Sequence, residues 1–232
     1  MNKRPSFKTF LRLDVSLFLL TVIFFLVWPN IDLVITGNYY ADGQFIYGNN
    51  AFVRFIYLLF AKIHIAYILL FIAGIVVCHQ KKWFAAKKSW TFLLITLIVG
   101  PGILVNMVLK ENTVGRPRPQ NVEQFGGEMP FASVFHYSGN CDSNCSFVSG
   151  HAAIGFYLMA VAWVRQRRIW FVYGITLGAL VGFVRILQGG HFFSDVVMAG
   201  WFTYFTYLLI AKLMQFEFPP KTPKRRKVES SL

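Results

Sequence analysis

Six apolar runs divide this chain, at residues 13–28, 63–77, 90–109, 149–164, 169–187 and 193–213. A helix needs about 20 mostly apolar residues to cross a bilayer. In hydrocarbon only helices or a closed barrel satisfy their own backbone polar groups. The runs therefore predict an all-α, integral membrane six-helix bundle with a polar loop region on its outer face. Residues 1–216 form one domain and residues 217–232 a basic tail. Charge usage agrees: Asp, Glu, Lys and Arg make up 14% of the chain, against about 25% in soluble domains. The first run has basic residues before it but no small-residue cleavage site after it, so it reads as an uncleaved anchor. The stretch 51–62, with Arg54 and Lys62 on an apolar background, either lengthens the second helix or lies along the membrane surface.

The net charge of +13 needs no nucleic acid to explain it. Seventeen of the 23 Lys and Arg residues fall in the N-terminal segment, the 79–90 and 165–168 loops and the C-terminal stretch. Six alternating spans put all of these on one side. That side is then cytoplasmic, with both termini inside. The six exceptions are Arg54, Lys62, Lys110, Arg116, Arg118 and Arg185. They lie on or near the disfavoured side, and four of them belong to three polar islands. Basic residues placed against the orientation rule point to anion binding, although ion pairing with nearby acids is the simpler alternative.

The first island, KENTVGRPRPQNVEQFGGEMPF, follows the third run. Its prolines forbid a continuing helix. Lys110 supplies a point charge, and Arg116 and Arg118 supply forks suited to phosphate oxygens. The second island, CDSNCSFVSGHAA, opens the fourth run. Ser149 and Gly150 sit near a helix N-terminus, where backbone N–H groups favour an anion, and His151 stands beside them. Plain N-capping by Ser146 or Ser149 is the alternative there. Cys141 and Cys145 share this island and would form a disulfide in an oxidising compartment. The third island is RILQGGHFFSD, Arg185 to Asp195. The four-residue spacing of His191 and Asp195 puts both on one helix face. A carboxylate there would fix the imidazole tautomer and leave one nitrogen to attack. The same pair is half of a metal site, but no further Cys, His or carboxylate pair completes one. His64 and His79 read as packing or interfacial residues, and His136 carries no assigned role.

Together the islands resemble the type 2 phosphatidic acid phosphatase (PAP2) superfamily and, within it, the bacterial lipid A phosphatases. The motif stretches are Lys110-ENTVG-Arg116-Pro117-Arg118-Pro119, then Val148-Ser149-Gly150-His151, then Arg185-ILQGG-His191-FFS-Asp195. Val148 stands where the family has proline and Val184 where it has serine. The first motif fits with Arg118 as its arginine and Arg116 as the alternative.

The resemblance implies an integral membrane lipid phosphatase that works through a phosphohistidine. His191 is then the nucleophile, Asp195 its orienting group, and His151 the acid and base. Lys110, Arg118 or Arg116, Ser149, Gly150 and Arg185 hold the phosphoryl oxygens. It implies no cofactor and no metal. The implied substrate is lipid A, at its 1- or 4′-phosphate, with undecaprenyl pyrophosphate, phosphatidylglycerol phosphate and phosphatidic acid as alternatives. A lipid phosphotransferase is a further possibility. The expected location is the bacterial inner membrane, with the active site on the periplasmic face. The rival class is a transporter or lipid-binding protein without catalysis. Charges at span ends, rather than at the bilayer midplane, favour surface chemistry over transport.

Overall fold

A computed structural model describes residues 7–110 and 114–217. The basic tail expected from 217 onward lies, apart from its first residue, outside the described residues. Helix α1 (Phe7–Val27) ends where Pro29 removes a backbone donor and restricts the residue before it. The short α2 (Ile31–Gly37) then turns away by 79°. A two-residue hairpin follows, β1 (Tyr40–Ala41) and β2 (Gln44–Phe45), closed by Asp42 and Gly43. Both turn residues have positive φ, as this tight turn requires.

Helix α3 (Ala51–Gln80) begins at Asn50, whose side chain accepts from the backbone N–H groups of Phe52 and Val53. It takes in the whole 51–62 stretch, so that segment lengthens the second helix. A three-residue turn leads to α4 (Phe84–Leu97), which continues without a break as a π-helical segment (Ile98–Leu109). Pro101 lies inside that segment. Its missing N–H is incompatible with regular α-helical bonding, and the Asn106 side-chain amide donates to its carbonyl at 2.7 Å.

The fourth apolar run differs most from expectation. It forms α5 (Gly150–Phe156), a 3₁₀ turn (Tyr157–Ala160) and α6 (Val161–Arg165). This interrupted column is mostly buried within the protein. Helices α7 (Ile169–Leu187) and α8 (Phe193–Leu213) complete the bundle. Among the described residues, four helices are long and apolar enough to cross a membrane: α3, α4 with its π continuation, α7 and α8. The count reaches five if the bent pair α1–α2 is one span. The expected count of six is not reached, because the fourth run is never one continuous helix.

The central column sits close to α7 because Gly174 and Gly178 stand four residues apart, and Gly182, four further on, makes room for Val196 of α8. A Cβ at Gly178 would lie 2.2 Å from the Phe156 ring, and one at Gly174 would lie 2.4 Å from the Met159 backbone. Small residues at such spacing let helices approach where lipid offers no hydrophobic drive. The main core runs through Phe92, Trp163, Val181, Met198 and Tyr207. A second, smaller cluster of Val122, Phe125 and Phe192, with Tyr40, Phe45 and Phe131 against it, lies beneath the hairpin and the long loop.

Candidate active site

The helix directions carry all three polar islands to one end of the bundle. Lys110 closes the π segment, Ser149 caps α5, Arg185 lies in the last turn of α7, and Asp195 lies in the first turn of α8. Gly189, at φ +63°, reverses the chain between α7 and α8. Gly190 is needed for space, since a Cβ there would come within 2.2 Å of the Arg185 guanidinium.

His191 is 1% exposed. Its Nδ1 lies 2.7 Å from the Ser146 carbonyl oxygen. A carbonyl only accepts, so Nδ1 carries the proton and Nε2 is the nitrogen left with a lone pair. Burial pushes this imidazole down to about 4; the nearby Asp195 carboxylate opposes the shift, and the positive charge of Arg185 reinforces it. The Asp195 carboxylate stands farther off, 3.8 Å from Nδ1. It was expected to bond the ring directly, but Ser146 holds that position. Asp195 Oδ2 accepts from the Phe192 backbone N–H at 2.8 Å and from the Ser146 hydroxyl. Ser146 thus bridges the carboxylate and the imidazole.

The two loop arginines part company. Arg116, expected among the phosphate ligands, is completely buried behind Asp195. Its Nη1 donates to Asp195 Oδ1 at 2.7 Å and to Ser194 Oγ at 2.9 Å. Nη2 donates to Asp32 Oδ2 at 2.8 Å, and Nε to the Ala132 carbonyl at 2.8 Å. Burial opposes its charge, but Asp195 and Asp32 outweigh it and raise its pKa above the usual guanidinium value. Every face of the fork is taken by the protein, which leaves none for a ligand. Arg118 is only half-buried and donates to the Asn144 backbone and side-chain oxygens. Of the two, Arg118 is the one placed to meet an anion.

Arg185 is 6% exposed and donates through Nη1 to Gln188 Oε1. Its guanidinium carbon lies 4.6 Å from the Tyr57 ring centre. The same ring stacks on His151, with centres 4.9 Å apart and planes 24° from parallel. The buried Arg185 Nε and His151 Nε2 have no hydrogen-bond partner among the described residues. Buried polar atoms without partners are costly, and these two are placed for a ligand to satisfy them. Burial, reinforced by Arg185, His191, Lys110 and Arg118, pushes the His151 imidazole down to about 2, so it carries a proton only once a phosphate dianion offsets those charges. A cleft of about 450 Å³ runs from Lys110, Gly150 and His151 between α3 and the π segment, past Phe60, Ile68 and Pro101. Its floor is cationic and polar and its walls are apolar.

The Ser149 hydroxyl accepts from the Ala152 N–H at 3.4 Å, so N-capping is its observed role. The hydroxyl proton remains to donate. Val148 and Val184 are both buried in the core. With Val184 apolar, Gln188 and Tyr57 flank Arg185 instead. The sulfurs of Cys141 and Cys145 are bonded, with Cα atoms 5.7 Å apart. Among the described residues no three His, Cys, Asp or Glu side chains group as metal ligands. Asp32, Tyr57, Gln188 and Ser194 were not anticipated, and Ser146 only as a helix cap. For Asp32 the only sequence signal is an acid placed between the first apolar run and the apolar stretch LVIT.

The profile of the PAP2 superfamily matches residues 88–219. A lipid A 4′-phosphatase of Francisella tularensis subsp. novicida is 38% identical over 202 residues, covering 83% of this chain and 90% of that protein. A lipid A 4′-phosphatase of Rhizobium leguminosarum is 42% identical over 109 residues, 46% of each chain. A phosphatidylglycerophosphatase B of Bacillus subtilis is 30% identical over 138 residues, 55% of this chain and 60% of that protein. No solved structure matches significantly.

Proposed function

The chain belongs to the PAP2 superfamily, and from that premise we propose that it is a lipid A phosphatase acting on the 4′-phosphate. The observation that carries this reading is a buried, neutral His191 whose Nε2 is the free nitrogen, at the same end of the bundle as Lys110, Arg118, Arg185 and His151. The full-length resemblance to a lipid A 4′-phosphatase supports the choice of substrate and of position.

His191 Nε2 attacks phosphorus while the bond from phosphorus to the lipid oxygen breaks. That oxygen takes a proton from His151. Water then attacks the phosphohistidine, gives its proton to His151, and releases inorganic phosphate and His191. Phosphoryl transfer depends on positioning and charge stabilisation more than on covalent chemistry by the protein. Lys110, Arg118 and Arg185 supply positive charge for the phosphoryl oxygens, and the Ser149 hydroxyl and Gly150 N–H add donors. These cations take the part a metal plays elsewhere. The apolar walls of the cleft suit acyl chains, and its polar floor suits a phosphorylated sugar. The reading places the site on the periplasmic face of a bacterial inner membrane, with both termini cytoplasmic. In support, the site residues lie at the end of the bundle opposite the lysine-rich 81–88 turn.

Phosphate release from purified lipid A, undecaprenyl pyrophosphate, phosphatidylglycerol phosphate and phosphatidic acid tests this, with EDTA present and His191→Ala as control. Release of the 4′-phosphate by the unaltered protein alone is the expected result. Equal release by both proteins on every lipid overturns the phosphatase reading. Preference for another lipid overturns the substrate. Activity lost with EDTA and restored by a divalent ion overturns the metal-free chemistry.

A further inference from the structure

Behind the nucleophile lies a chain of buried polar groups that the phosphoryl chemistry alone does not require. Asp32, on α2, is separated from Ser194 by 162 positions in sequence. Its Oδ1 accepts from the Ser194 backbone N–H at 2.8 Å; its Oδ2 accepts from Arg116 at 2.8 Å and from the Ser194 hydroxyl. Arg116 passes the contact to Asp195, and Asp195 passes it through Ser146 to His191. All six polar members from Asp32 to His191, Ser194 included, are at most 1% exposed. The rings of Phe192 and Phe131 cover Arg116 at 4.3 and 5.6 Å.

Charge counting shows what Asp32 adds. Its carboxylate accepts from a guanidinium, a backbone N–H and a hydroxyl, the pattern of an ionised group that Arg116 holds against the opposing effect of burial. Arg116 and Asp195 alone would form a neutral pair. Asp32 turns the cluster into two carboxylates around one guanidinium, with a net charge of −1. Burying an extra ion costs several kcal/mol, and a neutral amide would tie α2 to α8 without that cost. The surplus charge has a purpose at His191. Phosphorylation of Nε2 while Nδ1 keeps its proton makes the ring an imidazolium, and a fixed negative cluster stabilises that developing charge.

We propose that Asp32 is a positioning residue for the nucleophilic histidine: through Arg116, Asp195 and Ser146 it holds the imidazole in place and supplies the negative charge its phosphorylated form needs. This rests on the phosphohistidine reading above. The test uses full-length protein in lipid nanodiscs with lipid A as substrate, comparing wild type, His191→Ala, Asp32→Asn and Asp32→Glu. The expected result for Asp32→Asn is a fall in kcat on the order of 10-fold or more, with KM and thermal midpoint near wild type and slower formation of the trapped phosphohistidine. Asp32→Glu should recover part of the rate. Wild-type kcat in Asp32→Asn overturns the proposal. So does a loss that only follows a lowered thermal midpoint, or an Asp32→Glu protein no faster than the amide. If Asp32→Asn is not recovered folded, Ser194→Ala withdraws the hydroxyl that bonds both Asp32 and Arg116, leaving the backbone N–H bond and the charge of Asp32 in place; reduced kcat at unchanged KM is expected, and wild-type kcat overturns the proposal. Equal activity of wild type and His191→Ala would instead defeat the phosphatase reading itself.

Discussion

At His191 the tautomer is set by an atom that has no proton to give, the Ser146 carbonyl oxygen. Burial lowers the ring's pKa to about 4, so the neutral form persists from neutral pH down to that value, well below the ordinary 6.5 or so. Nitrogen-15 NMR of histidine-labelled protein at pH 6 should therefore show a neutral His191 protonated on Nδ1; an imidazolium there contradicts the geometry. The two arginines of the first motif predict opposite failures. Arg116→Ala leaves Asp195 and Asp32 buried without their cation and should cost about 3–5 kcal/mol, seen as loss of folded protein. Arg118→Ala should fold normally and raise KM for lipid A. Tyr57 tests the aromatic support of His151 and Arg185. Tyr57→Phe keeps the ring and should stay near wild type. Tyr57→Ala loses a stacking and a cation–π contact of about 1 kcal/mol each, which corresponds to roughly 10-fold or more in kcat/KM.

Among the elements, the interrupted column from Gly150 to Arg165 decides how the site is held. It is short, buried and glycine-matched to α7, so its N-terminal turn, with Ser149 and His151, stays fixed relative to Arg185. Gly178→Ala would place a methyl 2.2 Å from the Phe156 ring. Overpacking of this kind costs about 1–3 kcal/mol, and thermal unfolding in detergent should show the loss, with lipid A turnover reduced as His151 and Arg185 move apart. A melting curve like that of the unaltered protein would mean the two helices separate freely. The apolar run 149–164 carried no sign of its interruption. Hydrophobicity reports that a segment avoids water, and a buried column does this as well as a lipid-facing one. The π segment was equally hidden, although Pro101 marked a place where regular bonding had to fail.

For the whole molecule, the site stands at one end and the lysine-rich turn at the other. Helix α4 and its π continuation, residues 84–109, separate Lys87 and Lys88 from Lys110 by roughly 30 Å, at 1.5 Å per residue in the α-helical part and less in the wider π segment. That is about the thickness of a bilayer core. Tyr137, 74% exposed, lies on the long loop at the site end. A Tyr137→Cys protein should react with membrane-impermeant maleimide in intact spheroplasts. Cys78 is buried and Cys141 and Cys145 are paired, so background labelling should be low. Labelling only after the membrane is opened would invert the proposed orientation.

The sequence by itself determined the helical membrane class, the three islands, and the four-residue spacing of His191 and Asp195. Those features are local: run length, residue type and a four-residue spacing act within a few turns of chain. The family resemblance also favoured Arg118 over Arg116 as the motif arginine, where spacing fitted neither. Only the tertiary structure decided that Arg116 faces two carboxylates, that Tyr57 joins His151 to Arg185, and that Asp32 belongs behind the nucleophile. These contacts span from 79 to 162 positions in sequence, with Arg185 to Tyr57 among the longer ones. No local preference encodes them. They exist because burying the helix ends together leaves each charged group only the partners the fold brings within reach.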